Sequence, residues 1–267
     1  AFITAGLSKA WGLECKCLPA MSQMWRTGIP FNRTKLEELQ ISLEADISRY
    51  GERFIADLDE AMPDEHKLPR DEDGSFNLRT KAEGSIRAGT KRLAGFNLNS
   101  PKQLVEKLTI LLGQVPVGKD GKPSAARDAL REYAADHRVV QTYLSWKRAE
   151  KRRQMVVSML EHQAPDGFIR ASYMQLGAES GRMSCAKPNL QQVPRDNAFR
   201  AAAEAPEGWS FVCADFGQME LRLAAAIAKD ATMIEAFKQG LDLHTLTANA
   251  IYTEPTEDEK ELKMRSR

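Results

Sequence analysis

The chain has 267 residues, with 38 Lys and Arg against 37 Asp and Glu, so its formal net charge of +1 gives no sign of a polyanionic partner. A composition 42% apolar and 28% charged excludes a fibrous or wholly disordered chain. At this length roughly 70–75% of the unfolded surface can be buried, so neither disulfides nor a structural metal is needed to hold a core.

Gly28-Ile29-Pro30-Phe31-Asn32 reads as a turn, and Thr34-x-x-Glu37 as a capping box that opens a long helix. Leu36, Leu39, Leu43, Ile47, Tyr50, Phe54 and Leu58 then recur at helical spacing until Pro63 stops the pattern. About 28 residues at ~1.5 Å each make a rod of roughly 40 Å. Residues 64–92 are polar and contain glycine, which predicts a surface excursion. Ser100 is placed as an N-cap and Pro101 at the first helical position, opening a helix over 102–112 that ends at Gly113. Gly118-Lys119-Asp120-Gly121-Lys122-Pro123 is an exposed basic tip, after which Ser124 caps a helix to about His137. A further helix spans about Val139 to His162 and ends before Pro165-Asp166-Gly167. Composition then changes. Residues 168–173 alternate like a strand, and 209–215 do so more clearly, with Trp209, Phe211, Cys213 and Asp215 on one side. Helices are expected over 219–228 and 243–252, and no internal repeat is present.

Near-neutrality conceals segregation. Residues 37–73 carry thirteen acids and four bases, residues 119–153 ten bases and five acids, and residues 167–200 five bases and two acids. One basic face can therefore exist beside an acidic one. The run Lys147-Arg148-Ala149-Glu150-Lys151-Arg152-Arg153 on the helix over about 139–162 is either a solvated helix face or part of a basic face for a polyanion.

No run approaches the ~18 apolar residues of a membrane span, and Ala1-Phe2-Ile3 lacks the basic start of a signal peptide. Cys15, Cys17, Cys185 and Cys213 form no C-x-x-C pair and read as free thiols of a reducing compartment. The absence of an initial Met and the ending Met264-Arg265-Ser266-Arg267 read as a chain cut at both ends.

Several motifs fail on inspection. Gly113 to Asp120 has Walker A spacing, but Asp120 stands where a Ser or Thr must hold Mg²⁺. Asp71-Glu72-Asp73-Gly74 lacks the sixth-position Gly and twelfth-position Glu of a calcium loop. His66, His137, His162 and His244 include no H-E-x-x-H pair, which argues against zinc.

An acid closing a buried strand is costly unless it meets a cation, which singles out Asp215 after Phe211-Val212-Cys213-Ala214. Its neighbours carry the argument further. Asp215-Phe216-Gly217-Gln218-Met219-Glu220-Leu221-Arg222 resembles motif A of the family-A DNA polymerases. Upstream, Ser180-Gly181-Arg182-Met183-Ser184 through Asn189-Leu190-Gln191-Gln192-Val193-Pro194-Arg195 resembles that family's Thr-Gly-Arg-Leu-Ser and Pro-Asn-Leu-Gln-Asn-Ile-Pro segment. Downstream, Asp242-Leu243-His244-Thr245 resembles its Asp-Ile-His motif, and residues 27–32 and 96–104 resemble parts of the thumb.

The resemblance implies a set of roles. Asp215 would bind two Mg²⁺ ions, with the carbonyl of Phe216 as a further ligand. Glu220 would fill the space beside the sugar C2′ and exclude a ribose hydroxyl, while Gln218 and His244 would lie close to the nucleotide, His244 near its phosphates. Arg182 would donate to minor-groove acceptors shared by all correct base pairs. Asn189, Gln191, Gln192 and Arg195 would contact the primer-template, and Lys119, Lys122, Lys151, Arg152 and Arg153 would track backbone phosphates.

The family also requires an Arg-x-x-x-Lys-x-x-x-Phe helix and a later His-Asp pair, and neither motif is in the sequence; Arg267 would be the first Arg of that helix, on the nucleotide side. With one carboxylate of the pair, the chain alone is expected to be inactive. The resulting expectation is an α+β chain. It has a remnant segment over 1–29 after an exonuclease-like domain, a helical thumb over 30–165, the first half of a palm with an antiparallel sheet over 166–230, and the start of the fingers over 231–267. It would be a fragment of a template-directed DNA polymerase with primer-template DNA and dNTP as partners, monomeric, in a bacterial or phage-infected cytoplasm. The alternative is a polymerase-derived module that grips DNA without chemistry.

Overall fold

A computed structural model describes residues 6–78 and 96–251. The fold is mainly helical with small antiparallel pairings, an α+β chain as expected. The chain divides into two compact units, Ala1–Trp209 and Ser210–Arg267.

The first unit is organised by two long helices. α1 covers Ser8–Thr27 and α2 covers Arg33–Ala61, with β1 (Ile29–Pro30) between them. After α3 (Pro101–Leu112) and the one-turn α4 (Arg127–Leu130) comes α5, Arg138–Glu161. The stripe predicted on α2 is its buried face. Leu36 and Leu43 pack with Val156 and Met159 from the end of α5, whereas Phe54, Ile55 and Leu58 pack with Val139, Val140 and Tyr143 from its beginning. The two helices are therefore antiparallel, with one apolar cluster at each end. The Phe54 and Tyr143 rings lie 5.2 Å apart, and Tyr143 lies 6.0 Å from Trp146. Trp146 packs over Gly51, where an added Cβ would meet its Nε1 at 3.4 Å. Asp57 is buried between the helices; it accepts from Thr142 Oγ1 at 3.0 Å and pairs with Arg53 at 3.1 Å and Arg138 at 3.5 Å. These contacts supply the cations that a buried carboxylate needs.

α3 is built as expected, with the Ser100 side chain accepting from Gln103 N, Pro101 in the first turn and Gly113 left-handed at φ 69. Other expectations are corrected. Asn32, not Thr34, caps α2 by accepting from Lys35 N; Asn32 is itself fixed at the helix start, its N–H donating to Ala202 O and its Nδ2 to Glu204. The helix expected from Ser124 to His137 is only α4 and a 3-10 turn at Glu132–Ala134, since the Ser124 hydroxyl accepts from Ala126 N in a local turn. The strand expected over 168–173 is two strands in two pairings. β2 (Phe168–Ile169) pairs with β1, and β3 (Ser172–Met174) pairs with β4 (Ser184–Ala186). α1 and α6 (Asn197–Ala202) carry no long apolar period and were not expected. The excursion over 64–92 begins with a 3-10 turn at Asp64–His66 and a bridge between Arg70 and Phe76; residues 79–92 lie outside the described residues.

The second unit contains α7 (Met219–Ala228), α8 (Ala231–Lys238) and α9 (Leu243–Ile251). α7 and α9 match expectation, apart from Tyr252, which lies outside the described residues. Residues 209–215 are not a strand. Val212 is 92% exposed and Trp209 76%, and no partner strand stands beside them among the described residues, so the alternation has no ladder to join. No helix among the described residues is long and apolar enough to cross a membrane.

Candidate nucleotide and nucleic-acid interface

In the first unit a tight turn carries Arg182. Ala178 N donates to the Arg182 carbonyl at 3.2 Å, and Gly181 adopts φ 78 so that its N–H can reach Ala178 O at 2.9 Å. The β3–β4 pairing closes around Gly177, where any side chain would collide with the buried Ser184 hydroxyl. After β4 the chain turns at Asn189, whose side chain accepts from Gln191 N at 3.2 Å and caps a 3-10 turn at Leu190–Gln192. Gln191 Nε2 reaches back to Met183 O at 3.2 Å. Arg182, Asn189 and Gln191 are thus brought together on one loop structure, with exposed Gln192 and Arg195 following.

The basic residues of α5 divide. Lys151 is exposed. Arg152 pairs with Asp196 at 2.9 Å, and its guanidinium lies 5.7 Å from the Phe199 ring. Arg153 pairs with Glu150 at 3.3 Å. Burial pushes the Glu150 carboxyl upward, but hydrogen bonds from Arg153 and Gln154 prevail and hold it below the usual glutamate range. Lys119 and Lys122 stand at a hairpin tip closed by Gly118 N to Lys122 O at 2.8 Å; Lys119 pairs with Asp128 at 2.9 Å, and Lys122 approaches Asp120 at 4.0 Å.

In the second unit Asp215 and Phe216 are exposed in the segment leading to α7. Exposure removes the desolvation cost that a buried strand would have imposed on Asp215. Gln218 takes a left-handed conformation, φ 54 and ψ 38, immediately before α7, and Glu220 follows in its first turn. Gln218 Nε2 donates to Asp242 Oδ1. Asp242 caps α9 by accepting from His244 N at 3.3 Å and from Thr245 N at 3.2 Å. Arg222 Nε donates to Gly217 O at 2.8 Å, and its guanidinium covers the Phe237 ring at 4.4 Å. Gln218 through its side chain and His244 through its backbone N–H therefore both donate to one carboxylate. Asp242 and Arg222 were assigned no role from sequence; the legible signal was an Asp just ahead of the apolar Leu243 and Leu246, a helix-start pattern. Arg267 lies outside the described residues.

Asp215 and the Phe216 carbonyl offer oxygen donors suited to a hard divalent cation. They do not complete a site: no group of three or more His, Cys, Asp or Glu able to hold a metal occurs among the described residues. All four cysteines are free.

Comparison with known proteins agrees with these motifs. The model of "DNA polymerase family A" matches residues 77–267. DNA polymerase I of Pseudomonas aeruginosa is 37% identical over 177 residues, covering 62% of this chain and 19% of that protein. The thermostable DNA polymerase I of Thermus filiformis is 33% identical over 225 residues, covering 80% of this chain and 27% of the relative. The solved POL domain of Pol1 from M. smegmatis, in complex with DNA primer-template and dNTP, superposes with a TM-score of 0.67 at 28% identity, over 92% of this chain and 39% of that one. The helical body with short antiparallel pairings is similar in fold to that POL domain. The chain belongs to DNA polymerase family A. It spans about a fifth to a quarter of the length of these two curated relatives.

Proposed function

We propose that the parent of this chain is a template-directed DNA polymerase that joins a deoxynucleotide to a primer 3′-hydroxyl with release of pyrophosphate. Residues 30–165 would be its thumb, residues 166–230 the first half of its palm and residues 231–267 the start of its fingers. The observation that carries this reading is the Asp215-to-Arg222 turn and helix, in which Asp215 is exposed and Glu220 stands in the helix's first turn, with Gln218 joined through Asp242 to the backbone N–H of His244.

Each group has a task its chemistry suits. Arg182, Asn189, Gln191, Gln192 and Arg195 would grip the primer-template through minor-groove, sugar and phosphate contacts, and Lys119, Lys122 and Lys151 would add sequence-independent attraction to phosphates. Glu220 would stand against the sugar and His244 beside the phosphates. Mg²⁺, when bound, would supply charge neutralisation at the phosphates, with Asp215 and the Phe216 carbonyl furnishing part of its shell. The sequence holds no His-Asp pair to supply the family's second carboxylate, so the 267-residue chain alone would bind DNA without extending primers. The four free thiols fit a reducing compartment.

Primer extension by the intact parent tests this directly. The wild type extends a primer with Mg²⁺ and dNTP, and Asp215→Asn abolishes extension while leaving primer-template binding in place. Robust metal-dependent extension by the purified 267-residue chain would overturn the incomplete-site reading.

A further inference from the structure

The contact between Gln218 and Asp242 joins elements that carry different parts of the proposed nucleotide site. Gln218 is a non-glycine residue in the left-handed region, a conformation that its side chain disfavours and that its surroundings must hold. α7 begins at the next residue, so this conformation sets the direction in which Glu220 leaves the turn. Asp242 Oδ1 accepts both from Gln218 Nε2 and from His244 N, while Oδ2 accepts from Thr245 N at 3.2 Å and Thr245 Oγ1 at 2.9 Å. One carboxylate therefore starts α9 and holds the motif turn. On the other side of that turn, Arg222 secures the Gly217 carbonyl and reaches Phe237 of α8.

We propose that Asp242 is a positioning residue for the incoming nucleotide. Through Gln218 it fixes the turn that leads from Asp215 to Glu220, and through its cap on α9 it fixes His244, so the sugar-side and phosphate-side groups are held in one arrangement. Asp242 does not itself touch the nucleotide. The inference rests on the polymerase reading above, and its effect falls on nucleotide binding.

Single-nucleotide insertion by the intact parent, with primer-template saturating, tests it through Asp242→Ser, Gln218→Ala and the double variant. Serine is a good helix cap, so α9 keeps its start, but its side chain is one bond too short to serve α9 and Gln218 together. The expected result for Asp242→Ser is a KM for dNTP raised roughly three- to tenfold, the loss of one charge-assisted hydrogen bond, with kcat within about twofold and the melting temperature unchanged. The double variant is no worse than the more impaired single one, because both remove the same contact. Should the Ser variant melt, Asp242→Asn, which caps equally well but lacks the charge, gives a smaller rise in the same direction. An unchanged KM, a fall in kcat alone, or effects that multiply in the double variant would overturn the inference. A wild-type parent that extends no primer sinks the polymerase reading and this inference with it; an active wild type matched by Asp242→Ser sinks this inference alone.

Discussion

Arg152 on α5 holds Asp196, the residue that caps α6, at 2.9 Å. Asp196 Oδ1 also accepts from Phe199 N at 3.3 Å, and the Phe199 ring lies beneath the guanidinium. The basic run of α5 thus contains a structural cation next to an exposed one. Arg152→Ala is expected to destabilise the first unit by about 1 kcal/mol, most of it lost packing, because the pair is partly exposed and screened. Lys151→Glu is expected to leave the denaturation midpoint unchanged and to weaken duplex binding, with a shallower dependence on salt. Urea denaturation and binding titrations at two ionic strengths separate the two effects.

Gly28 follows α1 at φ 70, and a Cβ there would lie 2.8 Å from the Ile169 carbonyl oxygen of β2. Backbone cannot move aside as a flexible side chain can. Gly28→Ala is expected to cost about 1–3 kcal/mol, read as a lowered melting temperature.

Arg170 grips Asp166 with two hydrogen bonds, at 3.0 and 2.6 Å, and donates Nε to Arg26 O at the end of α1. The Arg170 hydrogen bond holds the Asp166 carboxyl below the usual aspartate range. A lowered folded-state value contributes stability that is present above the unfolded-state value and is lost as pH falls through the folded one. Asp166→Asn should therefore be less stable than wild type at neutral pH, and the gap should close on acidification below the ordinary aspartate range. Thermal melts of both proteins across that window check the sign.

Residues 210–216 lie outside any helix or strand, with Val212 and Phe216 largely exposed. Their amides are expected to exchange with solvent close to the unprotected rate, while those of α2 and α5 beside Phe54 and Tyr143 are protected to the level of global unfolding. Hydrogen exchange read by mass spectrometry resolves the two segments.

The helices legible in sequence were those whose apolar stripe finds a partner within the chain. Leu36, Leu43, Phe54 and Leu58 marked α2 because α5 covers them. α1 leaves no such signature, because none of its residues is buried and Pro19 lies inside it, so no single face repeats. The alternation from Trp209 to Asp215 is real as a pattern, yet a strand also needs a neighbour, and a period alone cannot show one. At the candidate site the residue types were legible, but their joining was not. Gln218 and Asp242 meet because Gln218 enters the left-handed region, a backbone choice without a side-chain signature in glutamine.

The two-ended packing of α2 against α5 bears on how the molecule folds. Phe54 and Tyr143 close a shorter stretch of chain than Leu36 and Met159 do, and loop-closure entropy favours the shorter loop. The difference is small, about 0.3 kcal/mol, so either end can close first and the other then follows along the aligned helices. Because even the first closure joins residues remote in sequence, the first unit should fold slowly for a helical body, its rate set by a long-range encounter rather than by helix formation.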